Sequence, residues 1–127
     1  MYKRALFGII CFALLTVLFT ACTVRDQASI PVGPSAKMGP STFIDQTVTL
    51  KKGDSLTLID TVAVPHIISN GSWDGSSPKP AQEAGAPKVN LSFAGSDSQT
   101  AGPFTTAGTF KLYCTIHPGM NLTVIVQ

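Results

Sequence analysis

Apolar and polar residues alternate in short runs along most of this chain. Val48 and Leu50 alternate with Thr47 and Thr49, and after Lys51-Lys52-Gly53-Asp54 the residues Leu56 and Leu58 alternate with Ser55 and Thr57. A period of two places the aliphatic side chains on one face of a strand and the hydroxyls on the other. Gln46–Asp60 therefore predicts a hairpin. Thr61–Ile68 (TVAVPHII) predicts a further strand, in which Pro65 marks an edge or a bend because it cannot donate to a ladder. Asn70–Lys88 is rich in Gly, Pro and Ser, carries the single tryptophan Trp73, and reads as a long loop. Leu91–Phe93 suits a short strand. In Thr109–Cys114, Phe110, Leu112 and Cys114 share one face while Lys111 and Tyr113 take the other; in Asn121–Gln127, Leu122, Val124 and Val126 point inward. Short strands at this spacing, with no helical repeat after the first 22 residues, predict an all-β antiparallel sandwich.

The first 22 residues differ in kind. Lys3 and Arg4 precede Ala5–Ala21, a stretch of 17 residues without a charge, and Leu18-Phe19-Thr20-Ala21-Cys22 sets small residues before a cysteine. The segment resembles a bacterial lipoprotein signal, in which that cysteine is lipidated and heads the mature chain; Phe19 stands where such signals favour Leu. An uncleaved anchor, at the short edge of the ~17–25 residues that span a bilayer, and a plain secretory signal are the alternatives. Each places residues 23–127 outside the cytoplasm. The expected organisation is a signal peptide at 1–21, a lipidated Cys22 with a flexible linker through residue 42, and one domain at 43–127. The linker reading rests on the prolines, glycines and lack of periodicity in residues 23–42. A domain of that size buries ~60% of its unfolded surface, so a ligand that binds only the folded state would add stability.

Composition narrows the function. Lys plus Arg is 9 against 7 for Asp plus Glu, and removing Lys3 and Arg4 with the leader leaves a neutral domain, which excludes a basic nucleic-acid binder as the default. Charged residues are 13% of the chain, about half the usual ~25%. There are three cysteines, Cys11, Cys22 and Cys114, and two histidines, His66 and His117. A Cys-rich iron–sulfur site and a Cys-x-x-Cys-His haem attachment are both excluded. The three Asn-x-Ser/Thr sequons, at Asn70, Asn90 and Asn121, read as chance matches.

The chemistry concentrates in Tyr113-Cys114-Thr115-Ile116-His117-Pro118-Gly119-Met120. Cysteine, histidine and methionine fall within seven residues, spaced Cys-x-x-His-x-x-Met. A thiolate, imidazoles and a weak axial thioether make the ligand set of an electron-transfer copper site, and His66 is the available source of the second imidazole. His117-Pro118-Gly119-Met120 places Pro and Gly where a type II turn prefers them, which would bring the turn's ends within ~7 Å. The blander readings are a core cysteine, a solvated surface His117, a buried His66 with a satisfied ring, and Met120 as core filler. Against them, Cys114 would be an unpaired thiol in an oxidising compartment. Trp73 and Tyr113 read as packing residues.

These residues carry a resemblance to the cupredoxins, the small blue copper proteins that include plastocyanin, amicyanin and pseudoazurin. Over Phe43–Gln127 the matching features are Val48–Leu58 with Gly53-Asp54, Val64-Pro65-His66, and Gly108–Met120; the short loop from Cys114 to Met120 is similar to that of amicyanin. The resemblance implies a Greek-key β-sandwich, a monomer, and one copper ion held by Cys114, His66 and His117 in a near-planar set with Met120 axial. It also implies a Cu(I)/Cu(II) electron carrier rather than an enzyme, with redox partners docking transiently near His117. Three positions depart from the pattern: Ile67 replaces an Asn that braces the two ligand loops, leaving Ser69 or Asn70 to supply that brace; Phe110 replaces a Tyr; Ile116 replaces a Pro. The alternative function is copper storage or delivery, although such proteins use more Met and His; a metal-free β-sandwich scaffold is the third.

Overall fold

A computed structural model of the chain describes residues 33–127. The expected signal peptide, Cys22 and the linker as far as residue 32 lie outside the described residues. Nine strands follow in order: β1 (Ser35–Met38), β2 (Thr47–Leu50), β3 (Leu56–Asp60), β4 (His66–Asp74), β5 (Ser77–Pro80), β6 (Asn90–Phe93), β7 (Ser98–Ala101), β8 (Gly108–Cys114) and β9 (Asn121–Val126). Among the described residues, no helix is long and apolar enough to cross a membrane.

The strands form two sheets. One has the order β1-β3-β7; the other runs β2-β9-β8-β4-β5, with β6 also paired to β4. Between them lie the inward residues that alternation marks: Leu56 and Leu58 from one sheet face Leu50, Ile68, Leu112, Leu122 and Val124 from the other, all at most 1% exposed. The all-β sandwich is as expected, but the sheets are mixed. The pairs β1–β3 and β2–β9 are parallel and the remaining pairs antiparallel.

Several local expectations change. Gln46–Asp60 is not a hairpin: β2 pairs with β9 and β3 with β1 and β7, so the turn carries the chain from one sheet to the other. Lys51-Lys52-Gly53-Asp54 does turn, with Asp54 N–H donating to the Lys51 carbonyl at 3.0 Å and the Lys51 N–H to the Asp54 carboxylate at 3.0 Å. Alternation reveals that each strand has one buried face; it does not reveal whether two such faces lie side by side or opposed across a core.

The folded part also begins before Phe43. β1 lies within the stretch read as linker, and Ala36 and Met38 are fully buried. Four residues are too few for a periodic signal amid Pro and Gly, so this strand was hidden. Met38 thus joins Met120 as a second buried methionine of the domain. The strand expected over Thr61–Ile68 starts at His66 instead. Residues 61–65 form a connection in which Val62 N–H donates to the Asp60 side chain at 3.1 Å. The loop expected over Asn70–Lys88 begins with the second half of β4 and a tight hairpin to β5.

Gly71 makes that hairpin possible. Its φ of +130° is strained for any side chain, and an added Cβ would meet the Lys79 carbonyl oxygen at 2.5 Å. Gly71→Ala should lower stability by more than about 1 kcal/mol, read as a reduced urea midpoint with the slope of the transition unchanged.

Candidate metal centre

Strand register brings the site together. Cys114 closes β8 and sits opposite Ile68 of β4. His66 opens β4 two residues earlier, so alternation puts His66 and Ile68 on the same inward face. The His66 side chain thus lies diagonally across from the Cys114 side chain, within reach of a cross-strand contact. His117 follows in the loop joining β8 to β9. There Met120 N–H donates to the His117 carbonyl at 3.2 Å, and Gly119 has φ +80°, the value a type II turn demands at that position. Cys114 N–H donates back to the Met120 carbonyl at 3.1 Å, closing the loop on itself.

Three donor atoms converge. Cys114 Sγ lies 3.4 Å from His117 Nδ1 and 3.8 Å from His66 Nδ1, and the two Nδ1 atoms are 3.2 Å apart. Nitrogen and sulfur ligands about 2.0–2.3 Å from a first-row ion stand roughly 3–4 Å from one another, so the donor set fits such an ion. Cys114 and His66 are fully buried and His117 is half-buried. Met120 is fully buried as well, and its backbone is bonded to both Cys114 and His117.

The far side of the His66 ring faces a buried acid. His66 Nε2 is 3.9 Å from Asp60 Oδ1, and both side chains are wholly excluded from solvent. Neither His66 Nε2 nor Asp60 Oδ2 has a hydrogen-bond partner. Burial is the main influence on His66 and holds its pKa below the usual histidine value; the Asp60 carboxylate and the Gly39 backbone oppose that shift, while His117 reinforces it.

The brace between the ligand loops comes from residues that sequence reasoning passed over. Ser69 and Asn70 do not supply it: the Asn70 side chain accepts from Val89 N–H at 2.6 Å and donates to the Pro87 carbonyl at 3.0 Å. Instead Thr115 N–H donates to the Ile67 carbonyl at 2.8 Å, a backbone bond that any residue at position 67 allows. Trp73 Nε1–H donates to the Cys114 carbonyl at 2.7 Å. The Asn121 side chain both accepts from Trp73 N–H at 2.7 Å and donates to its carbonyl at 3.1 Å. The indole also meets the Tyr113 ring edge-on, with centroids 6.0 Å apart. Nothing in the periodicity of Asn70–Lys88 marks Trp73 for this task; only its being the single tryptophan singled it out.

A buried cysteine between two imidazoles at one end of a β-sandwich defines a copper-binding class of protein. The sequence agrees: residues 32–127 match the family model of copper-binding proteins of the plastocyanin/azurin family, and the chain belongs to that family, with one copper ion as its cofactor. Among solved structures, amicyanin from Paracoccus versutus (Thiobacillus versutus) is similar at 21% identity and a TM-score of 0.60, over 79% of this chain and 87% of that one. A reduced amicyanin mutant matches at 24% identity and TM-score 0.58, over 79% and 88% of the two chains. An amicyanin mutant in its reduced Cu(I) form at pH 4 matches at 23% and 0.57, over 86% and 90%. These likenesses establish the shared fold. No curated protein sequence matches the chain.

Two outcomes follow from the site's surroundings. Trp73→Phe keeps the ring against Tyr113 but removes the donor to Cys114, and should cost about 1 kcal/mol of stability, measured by urea unfolding. For the metal-free protein, His66 takes up a proton less readily folded than unfolded. Its contribution to stability is therefore fully present above pH 6.5, the unfolded value, and is lost as pH falls from there toward the lower folded value. The slope cannot exceed ~1.4 kcal/mol per pH unit for one proton. Thermal unfolding of apoprotein between pH 7.5 and pH 5 should show this loss, and His66→Gln should reduce it.

Proposed function

We propose that this protein is an extracytoplasmic blue copper electron carrier, tethered through a lipidated Cys22, that passes single electrons between partner proteins. The observation that carries the reading is the closure of Cys114 Sγ and the two Nδ1 atoms to within 3.2–3.8 Å of one another. Copper bound there supplies a one-electron Cu(I)/Cu(II) couple. Cys114, His66, His117 and Met120 would hold it, the Met120 backbone being already bonded to Cys114 and His117.

The protein's part is to keep its donors from moving. Cys114 is anchored on a central strand, by its N–H to Met120 and by its carbonyl to Trp73. His66 is set by the first residue pair of β4 with β6. A donor set held this firmly rearranges little when one electron arrives or leaves. Cys114, His66 and Met120 are sealed from water, which favours a defined potential.

His117 is the half-buried member, and around it Ile116 is 46% exposed and Pro118 and Gly119 are exposed too. This small apolar surface suits brief docking of a redox partner, with His117 as the electron's way in and out. Lys and acidic residues balance in the domain, so docking should depend little on salt.

Copper-loaded protein should be intensely blue when oxidised and colourless after reductant. Cys114→Ser should lose the colour, and Met120→Leu should keep copper while shifting the potential. A weakly coloured wild-type Cu(II) form, or rapid release of Cu(I) to an acceptor without a reversible couple, would overturn electron carriage in favour of copper storage or delivery.

A further inference from the structure

We infer that Asp60 is a positioning residue for the copper centre: its buried carboxylate faces Nε2 of His66 from the opposite sheet, takes the Nε2–H hydrogen bond once Nδ1 holds the ion, and places a negative charge behind that ligand. The inference rests on the electron-carrier reading and deepens it.

The geometry is specific. Asp60 ends β3, in the three-stranded sheet, while His66 opens β4 in the other. The two side chains meet across the sandwich, Oδ1 to Nε2 at 3.9 Å, with no solvent at either. Asp60 is held in place by neighbours on both sides. Its N–H donates to the Asp97 carbonyl at 2.8 Å, and the adjoining Thr61 N–H and Oγ1–H both donate to the Met38 carbonyl, at 3.2 and 2.7 Å. Asp60 Oδ1 already accepts from Val62 N–H, so the carboxylate's orientation is fixed by its own turn.

Both facing groups are incomplete. A buried polar atom without a partner is costly, and both His66 Nε2 and one oxygen of the facing carboxylate, Asp60 Oδ2, lack one. Ligation at Nδ1 leaves the ring's proton on Nε2 and makes that nitrogen an obligatory donor. The Asp60 carboxylate is the charged acceptor in front of it. A carboxylate behind a ligating imidazole fixes the ring's tautomer and increases its basicity. It also favours the ion's higher charge over its lower one, because opposite charges attract more strongly in a dry interior. The Gly39 backbone, which also acts on His66, carries no charge and would orient the ring without that second effect.

Asp60→Asn is the discriminating variant. It keeps an oxygen for Val62 N–H and removes only the charge. Purified copper protein should show a higher reduction potential than wild type, corresponding to about a tenfold loss in preference for Cu(II) over Cu(I), or ~59 mV for a one-electron couple. In the reduced protein, the His66 Nε2–H proton should resonate at low field and move upfield in the variant. A blue variant with an unmoved potential, or with an unmoved Nε2–H signal, overturns the role of Asp60 and leaves electron carriage intact. Failure of the wild type to form a blue copper centre overturns both. If Asp60→Asn does not fold, the wild-type reduced protein decides: a His66 Nε2–H signal that is absent, or that exchanges with water as a solvated ring would, removes Asp60 from the site.

Discussion

The structure depends on keeping three lone-pair donors close together where solvent cannot relieve them. Left to themselves, a sulfur and two imidazole nitrogens within 3.2–3.8 Å are a poor arrangement: each gives up water, and none gains a strong partner from the others. An ion turns that cost into an attraction. The sandwich therefore has to be stable enough without metal to hold the donors in place, and the two-sheet core of Leu50, Leu56, Leu58, Leu112 and Leu122 meets that need. The ligands sit where the sheets end, so the core can remain wholly apolar.

The division of labour between the sheets follows from this. The six-stranded sheet and its β8–β9 loop supply the three converging donors: His66 from β4, Cys114 from β8, and His117 from the loop, which also carries the proposed ligand Met120. The three-stranded sheet supplies none. Its contribution is Asp60, which faces the back of His66. Movement of one sheet over the other would separate that pair before disturbing the distance from His66 to Cys114, which are bound by adjacent strands.

Much of this was legible in the chain. Cys114 and His117 stand three residues apart and their donor atoms meet, and the turn read at Pro118-Gly119 is present, with Gly119 at the positive φ expected of it. Only one other histidine existed to complete the set. The inward faces of β8 and β9 also read correctly, because seven and six residues of alternation are long enough to be clear. What remained hidden was non-local or short. β1 has four residues in a Pro- and Gly-rich stretch and exists because β3 offers it a parallel edge. The pairing of β2 with β9 joins residues 76 positions apart, Thr47 with Thr123 onward. The brace from Trp73 is a single hydrogen bond to a backbone carbonyl 41 residues away, and no local pattern encodes it.

The direction of β1 matters beyond packing. It runs parallel to β3, with Ser35 beside Thr57 and Met38 beside Asp60, and Asp60 is the end of β3 that reaches His66. The polypeptide thus enters the sandwich away from the ligands and travels toward them. The incoming polypeptide therefore occupies the end of β3 remote from His66, and the His117 end is left clear of it for whatever docks there.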